Sequence, residues 1–158
     1  MRPVAERAVA DRAVEIARCW IGTPYVHQAS VIGAGADCLG LLRGVWRELY
    51  GAEPEVVPAY TPDWSEPEAE ERLWQAALRH LRAADGAGVG AGVGAGEVLL
   101  FRMRAGAVAK HLGISSGAGE GATFIHAYSG HGVVECPLSE PWRRRIVARF
   151  VFPEQPIP

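Results

Sequence analysis

The sequence predicts an α+β fold, with N-terminal helices packed against an antiparallel sheet of five to six strands. Three observations predict it. Apolar residues recur at helical spacing through the first half of the chain. Past Glu97 the pattern changes to short apolar or alternating runs divided by turn residues. Helices first and a strand meander second is the order of an α+β layer fold, not of alternating βαβ units. At 158 residues the chain has the length of one ordinary domain, enough to bury a core without covalent staples.

The elements follow in order. Residues 4–21 read as an amphipathic helix, with Val9, Ala13, Ile16, Ala17 and Trp20 on one stripe. Gly22, Thr23 and Pro24 end it. Residues 25–37 form a loop. A second helix spans 38–50, its apolar face set by Leu42, Val45, Trp46 and Leu49, with Asp37 as N-cap and Gly51 as the stop. Residues 52–66 are loop. A third helix is expected over 67–84, acidic at its start (Glu68, Glu70, Glu71) and basic near its end (Arg79, His80, Arg82), as the helix dipole favours. Residues 86–96 alternate glycine with alanine or valine and read as a flexible loop, since the lysine and following helix of a phosphate-binding loop are missing. Strands are expected at Val98–Phe101, Lys110–Ser115, Thr123–Tyr128, Val133–Cys136 and Arg144–Phe152.

Composition narrows the function classes. A net charge of −2 gives no electrostatic footprint for nucleic acid, and the run Arg143, Arg144, Arg145 reads as the solvated face of the last strand. No apolar run is long enough to span a bilayer. Charged residues from Arg2 to Glu15 interrupt the N-terminus, so no signal peptide is expected and synthesis in the cytoplasm is. Three cysteines do not make a disulfide framework. No Cys-x-x-Cys or His-x-x-x-His pair is present, and neither a metal nor another cofactor is expected.

The chemistry gathers at Cys38, His111 and His126. A cysteine in the first turn of a helix faces unpaired N–H groups and the positive end of the dipole, which stabilise a thiolate. Gly35 and Gly40 are expected to leave the backbone there open to a substrate. Cys19 and Cys136 read as structural, buried thiols. His111 and His126 flank the glycine-rich turn 117–121, whose symmetric hairpin would set the two directly opposite each other on one sheet face. One imidazole would then orient the other, completing the nucleophile, base and orienter of a cysteine hydrolase. His27, His80 and His131 read as ordinary polar residues, with His27 near enough in sequence to line a cleft.

These residues carry a resemblance. Tyr25, then Asp37-Cys38, Gly96-Glu97, His111-Leu112-Gly113-Ile114 and Phe124-Ile125-His126 resemble the motifs of the NlpC-type cell-wall peptidases, a papain-like family. Further segments, among them Pro58–Trp64, Leu99–Met103 and Pro141–Pro153, look like the peptidases encoded with phage tails and gene transfer agents. The resemblance implies a single papain-like domain. It implies hydrolysis of the peptide stem of peptidoglycan, commonly between D-glutamate and diaminopimelate, with tail or baseplate proteins as partners and delivery to the cell wall by a phage-like particle. It makes Cys38 the nucleophile, His111 the base, His126 the orienter, and places Tyr25 and Asp37 at the substrate and oxyanion side. Three positions depart from the family pattern: Leu39 follows the cysteine, Glu97 replaces an aspartate, and Val26–Ile32 replace a glycine pair. Residues 52–95 lie outside the implied core and read as a surface insertion. The alternatives are a catalytically silent particle component that binds cell wall or tail hub, and an amidase or acyltransferase on another amide or lipid.

Overall fold

A computed structural model describes residues 3–60, 71–84 and 92–158. Helix α1 spans Val4–Cys19 and turns Ala10, Ala13, Val14, Ile16 and Ala17 inward, with Trp20 buried just beyond its end. The small strands β1 (Ser30–Val31) and β2 (Gly35–Ala36) close the following loop, and helix α2 (Cys38–Tyr50) starts directly after it. Its stop is Gly51, with φ +95°, a backbone region where glycine carries no steric cost. Helix α3 covers Arg72–His80. The predicted helix ends earlier than 84 because Leu81 turns extended and Arg82–Ala83 form strand β3. Its expected start at 67–70 lies outside the described residues, as does most of the glycine-rich stretch 86–96.

The sheet then builds from β4 (Glu97–Phe101), β5 (His111–Ser115), β6 (Thr123–Tyr128) and β7 (Gly132–Pro137), followed by the short helix α4 (Glu140–Arg143) and β8 (Ile146–Val151). The order across the six strands is β3-β8-β4-β5-β6-β7, with antiparallel pairing throughout. The last predicted strand loses its first two residues, 144 and 145, to the turn that follows α4. Pro141 lies in the first helical turn, where its missing N–H costs nothing. Arg143 therefore ends a helix, and its guanidinium donates to the Gly119 carbonyl at 3.0 Å.

Alternation along the strands divides the core. Val98, Leu100, Leu112, Ile114, Ile125 and Phe150 face α1 and α2, while Leu99, Phe101, Phe124 and Ile146 pack on the other side with Leu138 and Trp142. Leu73, Ala77 and Leu81 from the α3 region join the first of these clusters. Cys19 is exposed, contrary to its expected place in the core, because Ala17 and Trp20 take the inward positions at that end of α1. Cys136 is half-buried against the second cluster.

Two features hold the sheet in place. Glu97 and Arg149 form a buried ion pair at 2.7 Å, and the Gly94 N–H also donates to Glu97. The turn after α1 lies along the outer edge of β7: Gly22 N–H donates to the Val133 carbonyl at 3.0 Å, and Val133 N–H donates to the Thr23 carbonyl at 2.9 Å.

Candidate functional site

Asp37 caps α2 as the sequence predicts. Its Oδ1 accepts from Gly40 N–H at 2.7 Å, and its backbone carbonyl accepts from Leu41 N–H at 2.9 Å. Its Oδ2 accepts from Gln28 N–H at 2.8 Å and from the Tyr60 hydroxyl. Gln28 makes that bond with φ +65°, a backbone region costly for a side chain larger than glycine. His27 Nδ1 stands 3.8 Å from the same carboxylate, and the Tyr60 carbonyl accepts from Gln28 Nε2 and pairs with His27 Nε2 at 2.7 Å. The carboxylate thus ties together three stretches of chain, 27–28, 37–40 and 60.

Cys38 is the first residue of α2. Its thiol donates to the Lys110 carbonyl at 3.6 Å, which brings the sulfur to the start of β5 beside His111. Burial pushes the thiol up to about 12, and the neighbouring Asp37 charge adds to the shift, against smaller lowering by backbone N–H groups. The helix start therefore does not by itself produce a thiolate: desolvation and Asp37 outweigh it. Nor do Gly35 and Gly40 open the backbone to substrate. A Cβ on Gly40 would lie 1.8 Å from the Ala29 carbonyl oxygen, and one on Gly35 2.7 Å from Val26 Cγ2. The missing side chains let the protein's own loop close against the helix.

Tyr25 reaches the site because its strand-like bridge to Ala36 lays it beside the residues that precede Asp37. Burial, then the proximity of Cys38 and Asp37, pushes its phenol up to about 12.

His111 and His126 do meet, with His111 Nε2 2.8 Å from His126 Nδ1. They are not directly opposed. The hairpin pairs Ile114 with Ile125 and Ser115 with Phe124, which sets His126 across from Gly113. The turn centres one residue later than symmetry about 118–119 predicts. Gly119 takes φ +79°, and the Ser116 and Thr123 hydroxyls, 2.6 Å apart, both donate to Glu135. A register offset of two keeps both imidazoles on one face, as diagonal neighbours. Gly113 leaves room for this: a Cβ there would lie 2.8 Å from the Phe124 ring and 3.4 Å from His126 Cβ.

Aromatic rings enclose the pair. His111 lies 5.6 Å from the Phe101 ring centre, and Phe124, Tyr128 and Trp142 surround His126 at 4.3, 5.2 and 5.1 Å. Burial, then the neighbouring His126, pushes His111 down to about 3, while burial, then His131, pushes His126 down to about 4. Both imidazoles are neutral at neutral pH, each with one N–H. Glu71 steadies the segment that delivers His111: its carboxylate accepts from Arg102 Nη2 and from Ala109 N–H, each at 2.9 Å.

The structure thus gathers Tyr25, Asp37 and Cys38 at the start of α2, sets the Cys38 thiol on the Lys110 carbonyl at the start of β5, and joins His111 to His126. Sequence reasoning gave no role to Tyr60 or Gln28, although Tyr60 lies within the Pro58–Trp64 segment. Their contacts depend on a loop crossing that periodicity does not report. Glu97 lies at the other end of β4 from Phe101, the residue paired with His111, and serves the buried ion pair. His80 pairs with Glu55 at 2.7 Å, and His131 stacks on Tyr128. Among the described residues, no group of three histidine, cysteine or acidic side chains is placed to hold a metal ion, and no helix is long and apolar enough to cross a membrane.

No family model matches the chain, and no curated protein does. Solved structures do match. NlpC1 from Trichomonas vaginalis aligns over 90% of this chain with a TM-score of 0.55 and 18% identity. A lipoprotein-like protein of the NLP/P60 family from Staphylococcus aureus aligns over 97% with a TM-score of 0.53 and 20% identity. Ly7917 aligns over 92% with a TM-score of 0.53 and 16% identity. The chain spans 43%, 43% and 62% of their respective lengths. With helices over a six-stranded antiparallel sheet and these neighbours, the chain has the NlpC/P60 fold.

Proposed function

We propose that the protein is a cysteine endopeptidase that cuts the peptide stem of peptidoglycan. The observation that carries this reading is the placement of the Cys38 thiol, at a capped helix start, on the backbone carbonyl that precedes His111, which is itself hydrogen-bonded to His126. His111 commits Nε2 to His126, which leaves Nδ1 for the thiol. The resting pair is neutral, so the proton moves from Sγ to Nδ1 as the sulfur attacks the amide carbonyl. The tetrahedral oxyanion forms near the first N–H groups of α2 and the Tyr25 hydroxyl. His111 then gives its proton to the leaving amine, and water attacks the resulting thioester to release the acid. Asp37 holds the helix start in place and takes no proton.

The resemblance of the motifs supports D-glutamyl–diaminopimelate as the scissile bond. It also supports a place in a phage-tail-like or gene transfer agent particle, with tail or baseplate proteins as partners and the cell wall as the place of action. Digestion of purified peptidoglycan, with released peptides identified by mass, tests the reading. The protein should release stem fragments, and Cys38→Ala and His111→Ala should release none. Equal release by Cys38→Ala would overturn it.

A second reading, hydrolysis or transfer of an acyl group from another amide or a lipid, draws on a cavity of 270 Å3 beside the site, where Leu39, Leu42, Trp46, Val57, Leu73 and Leu112 present apolar surface. Faster turnover of acyl amides or lipid esters than of stem peptides would favour it.

A further inference from the structure

Among the described residues, one buried side-chain nitrogen or oxygen lacks a hydrogen-bond partner: His126 Nε2. Such an atom calls for an explanation, because a buried polar group without a partner has lost its water and gained nothing in return. The surrounding rings supply one. Phe124 and Tyr128 sit two residues before and after His126 on the same strand face, at interplanar angles of 37° and 27°, and so cover the two faces of the imidazole. His111 and Trp142 meet it at 77° and 79°. With its faces taken, His126 contacts both of these rings through its edge. One edge nitrogen, Nδ1, goes to His111. The Trp142 ring is what remains for the other side.

We infer that Trp142 is a positioning residue for the histidine pair: its ring takes the Nε2–H of His126 and thereby decides which nitrogen of each imidazole carries the proton. An aromatic face carries negative charge density, so it attracts an N–H and repels a nitrogen lone pair. Facing Trp142, His126 is held with its proton on Nε2 and a lone pair on Nδ1. That lone pair accepts the Nε2–H of His111. His111, being neutral, then has its lone pair on Nδ1, the nitrogen that must receive the thiol proton. Reversing the first step reverses all of them: a proton on His126 Nδ1 would donate to His111 Nε2 and leave His111 Nδ1 protonated and unable to act as base. Arg145, 5.6 Å over the Trp142 ring, helps fix the indole, and Phe101 and Phe124 pack against it at 5.3 and 5.1 Å.

The catalytic consequence rests on the peptidase reading, but the proton placement does not. The test is nitrogen–proton correlation NMR of the resting protein, labelled with 15N in its histidines, at neutral pH. The expected wild-type spectrum has both His111 and His126 protonated at Nε2 with bare Nδ1. A wild-type His126 protonated at Nδ1 overturns the inference without any variant. Trp142→Phe keeps an aromatic face and should keep the wild-type pattern. Trp142→Leu should move the His126 proton toward Nδ1, and kcat should fall by at least about tenfold with KM little changed, as expected when a base is held in the wrong tautomer. A folded Trp142→Leu protein with the wild-type pattern overturns the role of the ring. If wild type leaves peptidoglycan intact while the proton pattern follows Trp142, the peptidase reading fails and the inference stands.

Discussion

Asp37 and His126 are both almost wholly buried polar side chains at one site, and the fold treats them in opposite ways. Asp37 accepts from the Gly40 and Gln28 backbones and from the Tyr60 hydroxyl. Its position is set by three separate pieces of chain, and Gln28 takes a strained backbone to contribute. His126 has one hydrogen bond, to His111, and otherwise only rings around it. The first arrangement fixes where a carboxylate sits. The second keeps water and charge away from an imidazole. In the proposed reaction a nucleophile needs its backbone held still, whereas a base needs its proton affinity adjusted, and hydrogen bonds and apolar walls serve those ends separately.

Changing pH should give the largest separation between the two regions. The histidines bind protons at a lower pH folded than unfolded, so the unfolded state takes up more protons as pH falls from about 6.5 toward about 3 to 4. Stability present above that window is lost within it, and each unit of separation amounts to about 1.4 kcal/mol. Cys38 works in the other direction. Its thiol keeps its proton to a higher pH when folded, so stability declines as pH rises from about 9 toward about 12. Urea unfolding across pH should therefore show a maximum between these windows. Cys38→Ala should remove the part of the alkaline decline that begins near pH 9, leave the part that begins near pH 10 where Tyr25 titrates, and leave the acid side unchanged; a flat acid side in the wild type would contradict the walled-in histidines.

Asp37→Ala should come next, at about 2–4 kcal/mol. It removes a helix cap, worth about 0.5–2 kcal/mol, and leaves buried donors unpaired, at about 1–3 kcal/mol. Thermal or urea unfolding measures it, and a loss under about 1 kcal/mol would mean that the carboxylate is less essential to the loop than its bonds suggest. Tyr60→Phe should be smaller, about 1.5 kcal/mol, the scale of one hydrogen bond to a charged group. It carries a second signature. With one donor gone, Asp37 opposes a neighbouring thiolate more strongly, so the pH midpoint for alkylation of Cys38 should rise, by less than about one unit. A fall would reverse the sign argued for Asp37.

Most of this site is legible in the sequence, and its limits have physical causes. Helix starts, caps and strand alternation are local, so Asp37, Cys38 and the strand that carries His111 appear from the pattern, while the His-x-Gly-Ile motif on it rests on the resemblance. The hairpin register is nearly local, yet it came out two residues off because the turn is set by Gly119 and by hydroxyls bonded to Glu135, a residue on the next strand. Even so, the faces agree, since strand alternation has period two. The thiol's proton affinity was not legible: a helix start argues for a thiolate, and only packing shows that burial and Asp37 oppose it. Tyr60 was also hidden. It lies past α2, and its bonds to residues 27, 28 and 37 follow from the path of residues 52–60. Glu53 ties that path to α2 through Arg43 and Arg47, and Glu55 ties it to α3 through Arg79 and His80.

The turn after α1, described above for its bonds to Val133, bears on how these molecules behave in a crowd. A sheet is most exposed to unwanted pairing at its outermost strands, where a second chain can add itself. One margin of this sheet is β3, two residues long and too short to template much. At the other margin, β7, residues 22 and 23 already occupy backbone positions that a stranger would need. A short connection between helix and site thus also guards against aggregation, a property of use to any protein packed at high local concentration.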